Sequence, residues 1–265
     1  MAVLRSKRQL AKTEYENAYT VLYNEVRRYM IAIPRRRQKW LCTEINKLIN
    51  LAFRDIVEIN DYYDVEKEKR NEHIKLKAHD AIKHIYDLEK PMMVWWNVQR
   101  FETRKMCRLV ELINREIYLL NKINKYEERV DSFMILDWSA INNAKFLANM
   151  SQLHRYTHGK VDSERMDYDD TSGSLLITAV DDALYSVIQT NKKIPTTRKE
   201  YERRRSHVSK AIMCLKEMER HLLSYFNLQE YSERVMTDWT MLLTQELKLL
   251  YAIQSSDKKR FGKLA

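Results

Sequence analysis

The chain has 265 residues, 45% of them apolar and 32% charged, with a formal net charge of +10. Only 3 glycines and 3 prolines occur, too few to turn the many strands of a sheet protein of this length, so the composition excludes an all-β fold and predicts long helices with few loops. Gly159, Gly173 and Gly262 are isolated from one another, which also excludes a glycine-rich phosphate loop.

Apolar residues recur at helical spacing in four early segments. Tyr15, Ala18, Leu22, Val26 and Met30 form the first stripe. Leu41, Ile45, Leu48, Ala52, Ile56 and Ile59 form the second. Ile74, Ala78, Ala81, Ile85, Leu88 and Met92 form the third, and Met106, Leu109, Ile113, Ile117 and Leu120 the fourth. Four amphipathic helices with short connections predict an antiparallel four-helix bundle. Between the first two helices, Ile33-Pro34 stops the chain, because proline cannot continue a helix and restrains the residue before it. Pro34-Arg-Arg-Arg-Gln-Lys-Trp40 is therefore expected to be a basic loop.

The second half repeats the first. Residues 96–123 align without a gap to 226–253, and 9 of these 28 positions are identical. Chance would give about two, at a typical residue frequency of roughly 5–7%. Asn97, Gln99, Arg104, Met106, Leu112, Glu116, Leu119, Leu120 and Ile123 all recur 130 residues later. The match runs back through Ala81-Ile82 and Ala211-Ile212, and reaches Asn60 and Asn191 with one gap. A rival register, pairing Leu22-Tyr23 with Leu184-Tyr185, breaks this longer match. The expected fold is all-α: two tandem antiparallel four-helix bundles, residues 1–130 and 131–265. The acidic, glycine-bearing stretch 159–174 is expected to be a loop between the first two helices of the second bundle, matching the basic loop of the first.

Charge is unevenly distributed. Residues 1–130 hold 27 basic and 19 acidic side chains, and residues 131–265 hold 20 and 18. Residues 1–39 alone have 10 basic and 3 acidic ones. Such an excess favours an acidic partner, nucleic acid first. The candidate nucleic-acid contacts are Arg5, Lys7, Arg8 and Lys12 early in the first helix, Arg27 and Arg28 near its end, and Arg35, Arg36, Arg37 and Lys39 in the basic stretch. Lys258, Lys259 and Arg260 near the C-terminus join them as candidates, although a solvated tail is the preferred reading there. Cations at a helix C-terminus also complement its dipole, but three consecutive arginines exceed that need, and their forked donors suit phosphate. Tyr15, Tyr19, Tyr23, Tyr29 and Trp40 offer rings for base stacking, although core packing is the expected role of those on the apolar stripe. Arg203, Arg204 and Arg205, flanked by glutamates, read as a solvated face.

Recognisable reaction chemistry is absent. Cys42, Cys107 and Cys214 are far apart and read as reduced thiols of a cytoplasmic protein, outside any zinc spacing. The basic N-terminus lacks the apolar stretch of a secretory signal, and no apolar run of about 18 residues predicts a membrane span. The Arg-to-His spacing of helical ribonucleases does not occur; Arg203 and His207 have only three residues between them. His154-Arg-Tyr-Thr-His158 places two imidazoles one helical turn apart, half of a metal site, but the sequence shows no clear third ligand. No catalytic residue, cofactor or metal is expected. Glu116 and Glu246 recur at equivalent positions within an apolar face, as a buried hydrogen bond or an ion pair between bundles.

Several short motifs converge on one family. The helix ending in Ile33-Pro-Arg-Arg-Arg-Gln-Lys-Trp40, the next helix running into Ile59-Asn60, and the helix pair that follows resemble the accessory variability determinant family of diversity-generating retroelements. Thr190-Asn-Lys-Lys-Ile-Pro-Thr-Thr-Arg198, with the arginines beyond it, is similar to that family's stretch between its second and third helices. The ending Glu246–Phe261 is similar to its last helix and tail, and Ser6–Tyr19 to the opening of single-bundle members. The resemblance implies a non-catalytic protein that binds the element's reverse transcriptase and structured template RNA, and its cDNA, during mutagenic cDNA synthesis. It further implies a homo-oligomeric, ring-like assembly. This chain departs from the pattern in carrying two bundles, the second nearly neutral.

Overall fold

A computed structural model describes residues 2–31, 35–59, 67–99, 102–124, 144–163, 171–192, 194–228 and 231–264, with side chains from Glu14 in the first helix and from Cys42 in the second. The protein is all-α; no strand occurs among the described residues. The chain divides into two compact units, Met1–Leu136 and Asp137–Ala265.

The first unit contains α1 (Ala2–Ile31), α2 (Arg35–Glu58), α3 (Lys67–Asp87), α4 (Glu89–Gln99) and α5 (Thr103–Asn124). Helix α1 packs on α2 and α5, α3 packs on the same two helices, and α4 touches α2 and α3. The predicted stripes face inward: Tyr15, Leu22, Val26, Ile45, Ala52, Ile56, Ala78, Ala81, Ile85, Met106, Leu109, Ile113 and Leu120 are all buried. Asp55 of α2 is buried with them and is pinned to α3 by His84 Nδ1 at 2.9 Å and Lys77 Nζ at 3.5 Å.

The expected third helix is interrupted. Pro91 has no N–H for the carbonyl of Asp87, and its ring collides with that carbonyl in a continuous helix. The chain breaks at Leu88, whose N–H turns to the Ile85 carbonyl, and restarts as α4, with Met92 N–H bonded to the Leu88 carbonyl. The residue 130 positions on from Pro91 is His221, and there the helix is unbroken.

The second unit contains α6 (Lys145–Ser163), α7 (Thr171–Asn191), α8 (Arg198–Leu228) and α9 (Glu233–Phe261), closed by a 3-10 turn at Gly262–Leu264. Helix α7 packs on α6 and α8, and α9 packs on the same two. Stretch 159–174 is less of a loop than expected. Its first five residues complete α6, because Val161 is drawn into the core, and its last four open α7; residues 164–170 lie outside the described residues. A proline-bearing turn precedes α8. Glu200 accepts from the backbone N–H groups of Thr196 and Thr197, and Thr197 Oγ1 accepts from the N–H of Glu200, a reciprocal cap of the new helix.

Trp239 of α9 is fully buried among Tyr156, Tyr225, Phe226 and Tyr231, ring centroids 5.8–6.3 Å away and mostly edge-on. Its indole N–H donates to Thr157 Oγ1 at 3.0 Å. Trp239→Phe deletes that donor and leaves a gap in a close-packed site. It should cost ~1–3 kcal/mol in denaturant unfolding; an unchanged midpoint would show that the indole is not held as described.

Candidate functional site

The predicted basic residues fall into three structural settings. Arg35, Arg36, Arg37 and Lys39 are not in a loop: α2 begins at Arg35, so they occupy its first turns. Pro34 and the turn before it lie outside the described residues. Arg5 is in the first turn of α1, with Lys7, Arg8 and Lys12 just beyond. Neither helix has an acidic residue in its first turn. A helix N-terminus carries partial positive charge, felt within its first turn, so the dipole opposes a cation at positions 5, 35, 36 and 37, whereas Lys7, Arg8, Lys12 and Lys39 lie beyond the first turns.

Arg27 and Arg28 are on the exposed side of α1 near its end, where the dipole favours them. Both are already engaged: the Arg27 guanidinium lies over the Tyr23 ring, and Arg28 pairs with Glu25 at 2.8 Å and lies over Tyr29. Lys258, Lys259 and Arg260 are not a tail. They form the last turn of α9, fully in keeping with its dipole, and Arg260 lies against Phe261 at 5.1 Å. Of the aromatic candidates, Tyr15, Tyr19 and Tyr29 are buried. Tyr23 is half-buried, donating to Asn50 Oδ1 at 3.1 Å and resting against Phe53. The Trp40 side chain lies outside the described residues.

Arg203 and Arg205 are exposed, but Arg204 is not a solvated residue. Its guanidinium grips Asp257 near the end of α9 through Nε at 2.6 Å and Nη2 at 3.3 Å, and it also donates to the Thr190 carbonyl of α7. One side chain thus ties α8 to the ends of two neighbours.

The two recurring glutamates are both fully buried. Glu246 accepts from Asn149 Nδ2 at 2.9 Å, and Asn149 also donates to the Leu242 carbonyl. Glu116 has no hydrogen-bond partner among the described residues. Burial pushes both carboxyls up to about 8, against the smaller opposing effects of Arg115 on Glu116 and of Asn149 on Glu246. Each is thus held mainly neutral at pH 7, which removes the cost of a buried charge. The Tyr19 phenol is pushed well above its ordinary value, first by burial and then by Glu116, and donates to the Ile49 carbonyl.

The carboxylate that the sequence did not show beside the histidine pair is Asp181. His154 and His158 lie four residues apart on the core face of α6, and Asp181 faces them from α7. Both imidazole Nε2 atoms are 2.8 Å from the same oxygen, Asp181 Oδ1, and the rings are 4.5 Å apart. None of the three side chains is more than 5% exposed. Burial, then the neighbouring His158, push His154 down to about 4, so it is neutral at pH 7. Burial acts to raise Asp181, but hydrogen bonds and charge interaction with the two imidazoles bring it below the ordinary carboxylate range. Its signal in the sequence was a carboxylate inside the apolar run Leu176–Val187, legible only once α7 is laid against α6.

No known protein family, curated protein or solved structure matches the chain. Among the described residues no helix is long and apolar enough to cross a membrane.

Proposed function

We propose that this chain is a non-catalytic accessory protein of a diversity-generating retroelement, acting in the cytoplasm. It binds the element's reverse transcriptase and its structured template RNA and supports mutagenic cDNA synthesis. In this reading the chain is two tandem four-helix bundles, and it assembles with further copies into a ring-like oligomer.

The observation that carries the RNA-binding part is the placement of the basic clusters. Arg5, Lys7 and Arg8 in α1, and Arg35, Arg36, Arg37 and Lys39 in α2, are gathered on opening turns that lack acidic residues. A cation in a helix's first turn opposes the dipole by ~0.3–1 kcal/mol, and a polyanion laid over the helix ends would offset that cost. Lys258, Lys259 and Arg260, already complementing their own helix, are secondary contacts. The tandem-repeat part is supported by burial that recurs with the sequence: Ala78, Ala81, Ile82, Ile85, Leu88, Met92 and Trp95 are buried, and so are the residues 130 positions on. Leu109, Ile113, Glu116 and Leu120 match Trp239, Leu243, Glu246 and Leu250 in the same way.

A protein-only scaffold is the alternative. It is favoured by an open groove between α8 and α9 in the nearly neutral second unit, lined by Leu223, Phe226, Met236 and Met241, with Leu223 65% and Met241 57% exposed.

Binding of a structured RNA across a salt series separates the two. A variant with Arg35, Arg36, Arg37 and Lys39 each changed to glutamine should bind more weakly. Its slope of log K against log salt should shrink by ~0.7–0.9 for each phosphate that the variant no longer neutralises. Equal slopes, or no binding by either protein, would make the scaffold the better reading.

A further inference from the structure

We propose that His154, His158 and Asp181 form a binding site for a single divalent transition-metal ion of the zinc type, set inside the second unit and clamping α6 to α7. The inference is independent of the retroelement reading and of the basic surface.

The donor set is the first argument. Two imidazoles at i and i+4 project from one face of a helix, the spacing with which a helix chelates a metal from a single side. A carboxylate from a second helix completes three donors, one atom from each residue, all within 4.8 Å of one another. Imidazole nitrogen with carboxylate oxygen suits zinc and its neighbours rather than calcium or magnesium, which take oxygen donors.

The convergence of the donors is the second. Two fully buried imidazoles meet at the same oxygen, Asp181 Oδ1, at 2.8 Å each. Among the described residues no lysine or arginine pairs with Asp181, whose partners are these two rings. A divalent cation would neutralise the carboxylate and use both lone pairs.

The geometry gives the size of the change that binding requires. In a tetrahedral site with metal–ligand bonds of about 2.0–2.1 Å, donor atoms are roughly 3.3 Å apart. The two imidazole–carboxylate pairs at 2.8 Å are the metal-free, hydrogen-bonded arrangement, and each of these two pairs opens by about 0.5 Å to admit the ion. When Nε2 is the ligand, the proton of each neutral imidazole is carried on Nδ1. With three protein donors, the fourth position falls to the second oxygen of Asp181 or to a water. Because the site is closed to solvent, the ion is structural: it fixes the α6–α7 pair.

The test uses the full chain without an affinity tag, whose histidines would bind metal themselves. The protein is exposed to zinc, freed of excess by gel filtration, and analysed for metal content; its Tm is then measured before and after a chelator. A single zinc per chain is expected, with a Tm that falls on chelation and recovers on adding zinc. His158→Gln and Asp181→Asn should lose the ion, whereas His79→Gln, in the first unit, should keep it. Should a variant fail to fold, cobalt(II) added to the unaltered chain decides instead, through the visible bands of a low-symmetry four-coordinate ion. No retained zinc together with no cobalt bands would overturn the site and leave a hydrogen-bonded triad. Full metal occupancy in folded His158→Gln and Asp181→Asn would overturn it equally.

Discussion

Arg204→Ala should destabilise the second unit by about 3–5 kcal/mol, the loss typical of stripping one partner from a buried ion pair. The side chain of Arg204 is 15% exposed and that of Asp257 is 8% exposed, so the substitution leaves a carboxylate that water cannot readily solvate. It also removes the donor from the Thr190 carbonyl at the end of α7. Denaturant unfolding of the full chain measures the loss. Arg205→Ala, one residue along and exposed, should stay within ~0.5 kcal/mol of the parent. Removing both charges, with Arg204→Ala and Asp257→Ala together, should cost less than the sum of the two single changes, because the orphaned carboxylate is gone. A cost below about 1 kcal/mol for Arg204→Ala would place the pair with ordinary surface ion pairs and refute its anchoring role.

Glu246→Gln should have the opposite sign, and its size should depend on pH. The carboxyl is raised from its ordinary value of 4.5 to about 8 in the folded protein, chiefly by burial. Between those two values the unfolded chain has released the proton and the folded chain still holds it. Folding then binds a proton, so stability falls as pH rises, by up to ~1.4 kcal/mol per pH unit and roughly 5 kcal/mol at most across the window. Below pH 4.5 both states are protonated and the dependence from this group vanishes. Glutamine presents an acceptor to Asn149 Nδ2, as the glutamate does at 2.9 Å, and cannot ionise. The variant should therefore lose less stability than the parent between about pH 6 and 8, and the difference between them should widen with pH. Glu116→Gln should behave alike in the first unit, where burial likewise raises the carboxyl to about 8. Parallel stability–pH curves for parent and variant would show that Glu246 is ionised in the folded state.

Much of the fold is written locally. Helical spacing of apolar side chains selects the buried face of each helix, and few turn residues leave long helices as the only economical arrangement. The sequence by itself therefore determined the all-helical class, the inward stripes of α1, α2, α3 and α5, and the place of Glu116 and of Glu246 within an apolar face. It also held the signal for the break at Pro91, since a proline in a helical pattern cannot be passed without losing a hydrogen bond. What only the tertiary structure decided lies between helices. Arg204 and Asp257 are 53 residues apart, and Asp181 stands 27 and 23 residues from its two histidines. Periodicity tells which face of a helix turns inward, but not which neighbour meets that face or at what height. Those lateral matches arise when side chains of separate helices pack together. For that reason a run of arginines that reads as solvated contains a half-buried anchor, Arg204, and a lone histidine pair meets its carboxylate, Asp181, only in the folded unit.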